Sequence, residues 1–337
     1  MAKIINGKDL RCKQRQSLPE LIPLPGPFLV YLEQTNLCNL KCSFCPTSDK
    51  NLLRKIGRPS GVMSLELFHK IINDMAEFDN PIKMIHFYKD GEPLLHQNLI
   101  EMLTYLKQSG VAEKVRLKTN GLLLCAEMNR KLINTGIDWI GISVEAVSTA
   151  GYRKISGVSI DYEKFVDNIR DLFHCRGTCE IYVKIINANL SEEDKEKFYL
   201  DFKAISDFCA IEELMGLSYT KSKDFLLGTK PETQDGLPLI EKDVCPYPFY
   251  SLAINFNGAV SICCVDWSHS TVVGDVNKNS LKEIWNGPQM FEFRRMHLEH
   301  RRGENKACAD CYFIKQAPDN LDGQEAIVME RLSRKRT

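Results

Sequence analysis

From residue 28 to about 215 the chain repeats one unit, a short run rich in β-branched residues followed by an amphipathic helical stretch. Strand-like runs fall at 29–35, 82–88, 114–119, 138–144, 180–186 and 211–217, and helical periodicity at 64–78, 97–109, 126–135, 161–174 and 191–208. Strands joined through helices return to one sheet as parallel neighbours by right-handed crossovers. Six units predict an α/β fold, a partial (β/α)6 barrel in preference to a flat doubly wound sheet. In either arrangement the chemistry gathers at the C-terminal ends of the strands. Ser64 and Ser191 are expected N-caps, with Asp194 standing where a full capping box after Ser191 would have Glu or Gln.

The character changes after a polar stretch at 218–240. Extended runs at 249–255 and 259–265 flank Asn257-Gly258, both tolerant of positive φ, which predicts a hairpin. A helix is expected at about 281–300, interrupted near Gly287-Pro288, and the charged end as a terminal helix or frayed tail. The chain thus divides into an N-terminal segment (1–27), the barrel (28–220), a linker (221–244), a small C-terminal domain with a β-hairpin and helix (245–315) and a tail (316–337).

Lys+Arg and Asp+Glu both number 44, so no electrostatic nucleic-acid binder is expected. No apolar stretch is long enough for a membrane span and the N-terminus lacks a signal-peptide pattern, which makes the cytoplasm the expected location. In that reducing compartment 13 cysteines argue for metal or redox chemistry rather than disulfides. Seven fall into two groups, Cys38, Cys42 and Cys45, then Cys245, Cys263, Cys308 and Cys311. Cys12, Cys125, Cys175, Cys179, Cys209 and Cys264 lack ligand spacing, and most of them read as small buried hydrophobes.

Cys38, Cys42 and Cys45 follow the first strand, spaced so that only a loop can bring all three to one centre. Three thiolates are one too few for a closed site, which leaves a cubane with one open iron or a zinc ion completed by His69, His86 or His96. The Cys-x3-Cys-x2-Cys spacing, with Phe44 before the last cysteine, resembles the signature of the radical S-adenosylmethionine superfamily. The resemblance implies a 4Fe-4S cluster on Cys38, Cys42 and Cys45 whose open iron chelates S-adenosylmethionine, with Phe44 against the adenine. Gly91-Glu92-Pro93 resembles the family's Gly-Gly-Glu-Pro motif, which receives the methionine ammonium, but Asp90 replaces its first glycine and puts close backbone approach there in doubt. Thr119-Asn120 and Ser143, at two strand ends, and Lys184 on the fifth strand are implied contacts to the ribose and the methionine carboxylate.

By spacing alone the second group fits a zinc ribbon or an iron-sulfur site. Its order, a cysteine, Gly258-x4-Cys263 and Cys308-x2-Cys311, resembles the SPASM or twitch auxiliary domain of radical enzymes. That implies a second 4Fe-4S cluster, on Cys245, Cys263, Cys308 and Cys311; the Gly258 spacing selects Cys263 over Cys264. No cysteine follows Cys311, so one auxiliary cluster is expected.

The implied activity is hydrogen abstraction from a sugar, aminocyclitol or related small metabolite by a 5′-deoxyadenosyl radical, giving dehydrogenation or epimerisation. An external electron donor such as flavodoxin or ferredoxin is expected. In an epimerase Cys264 would return the hydrogen; Glu145, Tyr152 and Arg153 are candidate proton acceptors. The basic run Lys50, Arg54, Lys55 and Arg58 could meet a phosphate. Peptide modification is less favoured, because about 28 residues before the first strand are too few for a leader-binding domain. A non-catalytic protein with two metal sites is the alternative from another class.

Overall fold

The computed structural model describes residues 3–4, 16–187, 190–214, 233, 238–267 and 269–334. Cys12, residues 215–217 of the sixth predicted strand and most of the 218–240 stretch lie outside them. The strands are β1 (Lys3–Ile4), β2 (Leu29–Leu32), β3 (Met84–His86), β4 (Val115–Thr119), β5 (Trp139–Val144), β6 (Glu180–Ile186), β7 (Phe208–Glu212), β8 (Ser251–Ile254), β9 (Ala259–Ser261) and β10 (Val272–Asp275). They form one sheet in the order β1-β7-β6-β5-β4-β3-β2-β8-β9-β10. From β2 to β7 every pairing is parallel, the six strands of a partial barrel. The C-terminal hairpin is not a separate sheet: β8 pairs parallel with β2, and β9 and β10 follow antiparallel.

Beside two single turns, Leu18–Leu21 and Lys306–Ala309, the helices are α1 (Lys50–Ile56), α2 (Leu65–Met75), α3 (Leu99–Ser109), α4 (Ala126–Asn134), α5 (Thr149–Ser156), α6 (Tyr162–Cys175), α7 (Glu192–Phe202), α8 (Leu281–Asn286), α9 (Pro288–Leu298) and α10 (Glu325–Arg334). Ser64 and Ser191 both cap, each accepting an N–H at 3.1 Å. Asp194 closes a full capping box after all, its carboxylate accepting the Ser191 N–H at 3.2 Å. The predicted helix at 191–208 stops at Phe202, and the sixth strand starts earlier than expected. Asp207 explains this: its carboxylate accepts the Ile181 N–H at 2.8 Å and pairs with Arg176, fixing the chain beside β6.

Only Gly258 of the Asn257-Gly258 pair takes positive φ, +93°, so the turn is a three-residue loop in place of a two-residue one. The break at Gly287-Pro288 is as expected, with Gly287 extended between α8 and α9. The tail is folded through Arg334: Val328 and Leu332 of α10 are buried against Leu18, Ile22, Val244 and Phe249. Burial of two such side chains contributes about 1.5–3 kcal/mol each.

Candidate active site

The cysteine loop leaves β2 and is held on three sides. Thr35 Oγ1 donates to the Gly61 carbonyl at 2.8 Å, and Asn36 bridges Pro59 and Gly61. The Lys41 and Ser43 N–H groups donate to the Ser156 and Ile155 carbonyls, both at 2.9 Å, at the end of α5. On the third side Gly91 (φ +74°) packs directly on the backbone; a Cβ there would lie 2.5 Å from the Leu37 oxygen. The close approach therefore depends on Gly91 and needs no glycine at 90.

Burial raises all three thiols, Cys45 to about 11 against the lowering hydrogen bonds of Thr47, and neighbouring charges add to the rise of Cys42 and Cys45. Among those neighbours Cys45 and Cys38 act on Cys42, and Cys38 acts on Cys45, so the three thiols share one site. The Leu40 N–H reaches Cys38 Sγ at 3.4 Å, and Thr47 Oγ1 lies 3.0 Å from Cys45 Sγ. None of the three histidines completes this group. His69 packs on Tyr105, His86 bonds Tyr88, and His96 Nε2 bonds the Met63 carbonyl. Among the described residues no set of His, Cys, Asp and Glu converges to hold a single metal ion. Three thiols that act on one another, without a histidine to complete them, instead suit a larger cluster with one iron left open.

Glu92 is buried and fully engaged. Its carboxylate accepts the Thr119 hydroxyl at 2.6 Å, the Asn120 N–H at 2.7 Å and the Leu94 N–H at 2.9 Å. It thus ties the Gly91 turn to the end of β4, while Asn120 Nδ2 reaches on to Asn39 at 2.7 Å. Pro93 is buried at the start of the next turn. In place of the missing glycine, Asp90 joins a buried ionic group with Lys89 at 2.6 Å and with Arg58. Glu33 completes it, 3.1 Å from Arg58 and 3.5 Å from Lys89. Arg58 also lies over Trp267, 4.0 Å from the ring centroid, so it is locked in place and not free for a phosphate; Arg54 and Lys55 are exposed.

Between the barrel interior and the C-terminal domain lies a cavity of about 480 Å³. Phe44, Cys45, Lys184 and Cys264 line it, joined by His86, named from the sequence only as a zinc ligand, and by side chains that sequence reasoning missed: Tyr31 on β2, Tyr88 just past β3, Arg116 and Lys118 on β4, and Glu212 on β7. These recur at every second residue with half-buried positions alternating against buried ones, a period that marks strands whose inner face lines a chamber. Lys184 pairs with Glu212 at 3.3 Å, and Tyr182 donates to the same carboxylate at 2.7 Å. Burial pushes Glu212 up, but Lys184 and Lys118 outweigh it and hold it at about 2.

The predicted proton acceptors are placed elsewhere. Glu145 bonds the Cys42 thiol, Tyr152 is wholly buried with its hydroxyl accepting the Glu145 N–H at 3.3 Å, and Arg153 is exposed on α5. None is among the residues lining the cavity, and neither is Ser143, half-buried on β5 in register with Lys184.

Cys245, Cys263, Cys308 and Cys311 line a second cavity together; burial raises all four thiols, and Cys311 acts on each of the other three. Cys264 lines the central cavity instead, its thiol bonded to Tyr31 and to the neighbouring Cys263 thiol. The four thiols fit the donor set of a closed iron-sulfur cluster.

Comparison with known proteins agrees with this architecture. The radical SAM superfamily model matches residues 32–197 and an iron-sulfur cluster-binding domain model, SPASM, matches 245–312. The chain belongs to the radical SAM superfamily and carries a C-terminal SPASM-type cluster domain; it is an enzyme of a class that uses a 4Fe-4S cluster, S-adenosylmethionine and auxiliary iron-sulfur centres. Over 121 residues it is 35% identical to the tungsten-containing aldehyde ferredoxin oxidoreductase cofactor-modifying protein of Pyrococcus furiosus, covering 36% of this chain but only 32% of that protein. It is 21% identical over 286 residues to the S-adenosyl-L-methionine-dependent 2-deoxy-scyllo-inosamine dehydrogenase of Niallia circulans, 84% of this chain and 92% of the relative. In fold it is similar to Streptococcus suis SuiB bound to S-adenosylmethionine (TM-score 0.63, 13% identity, 90% of this chain and 75% of that one). The same holds for BtrN in complex with AdoMet and 2-DOIA (TM-score 0.54, 19% identity, 87% and 96%). No helix among the described residues is long and apolar enough to cross a membrane.

Proposed function

We propose that this enzyme inverts a hydroxyl-bearing carbon of a sugar, aminocyclitol or related small metabolite, with Cys264 returning the hydrogen. The observation that carries this is that two adjacent cysteines line different cavities, Cys263 the second one and Cys264 the central one. Cys38, Cys42 and Cys45 would hold the cluster that binds S-adenosylmethionine, and Cys245, Cys263, Cys308 and Cys311 the auxiliary cluster. When bound, the first cluster and S-adenosylmethionine supply a 5′-deoxyadenosyl radical that removes a hydrogen atom from carbon. Phe44 and Lys184 line the cavity and would contact that cofactor; Gly91 and Glu92 would shape the turn that receives it, and Thr119, Asn120 and Ser143, at the ends of β4 and β5, would supply its further polar contacts.

Cys264 then gives its S–H hydrogen to the substrate radical from the other side of the cavity, forming the inverted C–H bond and leaving a thiyl sulfur. One proton and one electron, the latter from an external donor such as flavodoxin or ferredoxin, restore the thiol. Tyr31, bonded to Cys264, orients it. The second reading is dehydrogenation, favoured by the similarity to the Niallia circulans dehydrogenase along 84% of this chain. There the hydroxyl proton would pass to a base, for which ionised Glu212 is one of the cavity's carboxylates, and the second electron would pass to the auxiliary cluster held by Cys245, Cys263, Cys308 and Cys311, with no donor thiol needed.

The test is turnover of candidate sugars and aminocyclitols by reconstituted Cys264→Ala in deuterated water. Inversion with deuterium at carbon in the wild type, lost in the variant while S-adenosylmethionine cleavage persists, supports the proposal. Ketone formation unchanged by the substitution would replace it with dehydrogenation.

A further inference from the structure

We infer that the substrate carries a phosphate group, bound by Arg116 and Lys118 inside the central cavity; the inference rests on reading that cavity as the substrate site. Both cations line it and stand two residues apart on β4, on the same face of the strand and about 7 Å apart along it. Each is held over an aromatic ring, Arg116 at 5.1 Å from the Trp139 centroid and Lys118 at 5.3 Å from that of Tyr88. The rings brace the side chains without neutralising them.

Apart from Glu213, the remaining charges in the cavity are already matched. Lys89 and Asp90 belong to the ionic group with Glu33 and Arg58, and Lys184 is paired with Glu212. Glu213 accepts a hydrogen bond from Asn187 at 3.0 Å. Arg116 and Lys118 have no carboxylate at ion-pair distance among the described residues, although Lys118 acts on Glu212 from further away. His86, between them, is kept neutral by burial and then by their charge, so it adds nothing to oppose an anion.

Two cations left unmatched in a partly enclosed chamber are costly unless a ligand brings the opposite charge. A guanidinium fork and an ammonium on one face suit the several oxygens and double charge of a phosphate monoester or diphosphate. The proposed substrate is accordingly a sugar phosphate or a nucleotide-linked sugar, whose neutral ring lies toward Cys264 and Tyr31.

The test is calorimetric titration of the reconstituted protein, saturated with S-adenosylmethionine, with pyrophosphate, glucose 6-phosphate, glucuronate and glucose. Pyrophosphate and the sugar phosphate should bind at least about tenfold more tightly than glucose or glucuronate. Arg116→Gln and Lys118→Gln should each weaken them about tenfold or more, Arg116→Lys retaining part of the affinity, with iron content unchanged. Failure of the phosphates to bind, unchanged affinity in both variants, or glucuronate binding as tightly would overturn the assignment. So would a loss confined to S-adenosylmethionine affinity, which would give the cations to that cofactor's carboxylate. Cys264→Ala should bind pyrophosphate like the wild type, so loss of the inversion mechanism and loss of the phosphate site are read separately.

Discussion

Replacing Asp90 by asparagine keeps the shape of the side chain and removes one charge from a buried group of two cations and two anions. Lys89, Arg58 and Glu33 have side chains 1% exposed and Asp90 9%, so water cannot screen the imbalance. Breaking a buried pair from one side costs about 3–5 kcal/mol, because the surviving charge stays buried. At roughly 2 °C per kcal/mol for a chain of this size, the thermal midpoint should fall by about 6–10 °C. The double variant Lys89→Met/Asp90→Asn leaves Arg58 with Glu33, a neutral pair 3.1 Å apart, and should regain most of the loss. Thermal unfolding followed by circular dichroism at pH 7 reads both.

The pH dependence has a definite sign. Burial pushes the Asp90 carboxyl up, but Lys89 and Arg58 outweigh it and hold it well below the usual carboxylate range. The folded state therefore binds this proton more weakly than the unfolded chain, whose aspartate titrates near about 3.9. Asp90's contribution is fully present above about pH 5 and declines as the pH falls through the acid range, so the gap between wild type and Asp90→Asn should narrow on acidification. A single variant within 2 °C of wild type, or a double variant no more stable than the single, would refute the reasoning (~1 kcal/mol or less on the same scale).

Two further predictions concern the clusters. Gly91→Ala places a Cβ 2.5 Å from the Leu37 oxygen at φ +74°, so the cysteine loop should be displaced; iron at the first site and 5′-deoxyadenosine formation should drop at least about tenfold, and wild-type levels of both would contradict the packing role. The wild type should hold about eight irons after reconstitution and the Cys38/Cys42/Cys45 triple-alanine variant about four, with no 5′-deoxyadenosine above the uncatalysed level; stoichiometric zinc in place of the second four irons would favour a structural ribbon.

The strand-helix repeat was legible because each barrel strand packs its outer side on helices, so buried residues recur at fixed period: Val115, Leu117 and Thr119 on β4 are all buried. Element ends were less legible where a side chain from elsewhere decides them, as Asp207 does through Ile181 and Arg176 for β7. Two short helices escaped the periodicity, α1 and α5, though Asp49 and Ser148 cap their starts and Gly57 and Gly157 close them. A helix of two turns shows too few residues for a 3.6-residue period, and its caps are the signal that remains. α5 matters because its last carbonyls hold the cysteine loop.

The cysteine groups were read from spacing because metal chemistry needs many identical donors close together, and few sequences supply them by accident. Proton acceptors offer no such redundancy. Glu145, Tyr152 and Arg153 were expected near the reaction because they follow the fourth barrel strand in sequence, yet past β5 the chain turns outward into α5. Its polar residues are spent on Cys42, on the backbone and on solvent. Several groups that do reach the cavity, Tyr31, Arg116, Lys118 and Lys184, lie before the strand ends, on the strands themselves. A parallel strand covered on both faces should be apolar throughout, so Arg116 and Lys118 within Val-Arg-Leu-Lys-Thr are anomalous for a filled barrel. They are intelligible if the barrel is open at its centre and holds a charged ligand. The same alternation at Tyr31, His86 and Tyr88 places the chamber beside Cys264, on the side where the auxiliary domain closes the sheet through β8. Substrate chemistry in this chain is therefore written in the polar interruptions of its most regular strands.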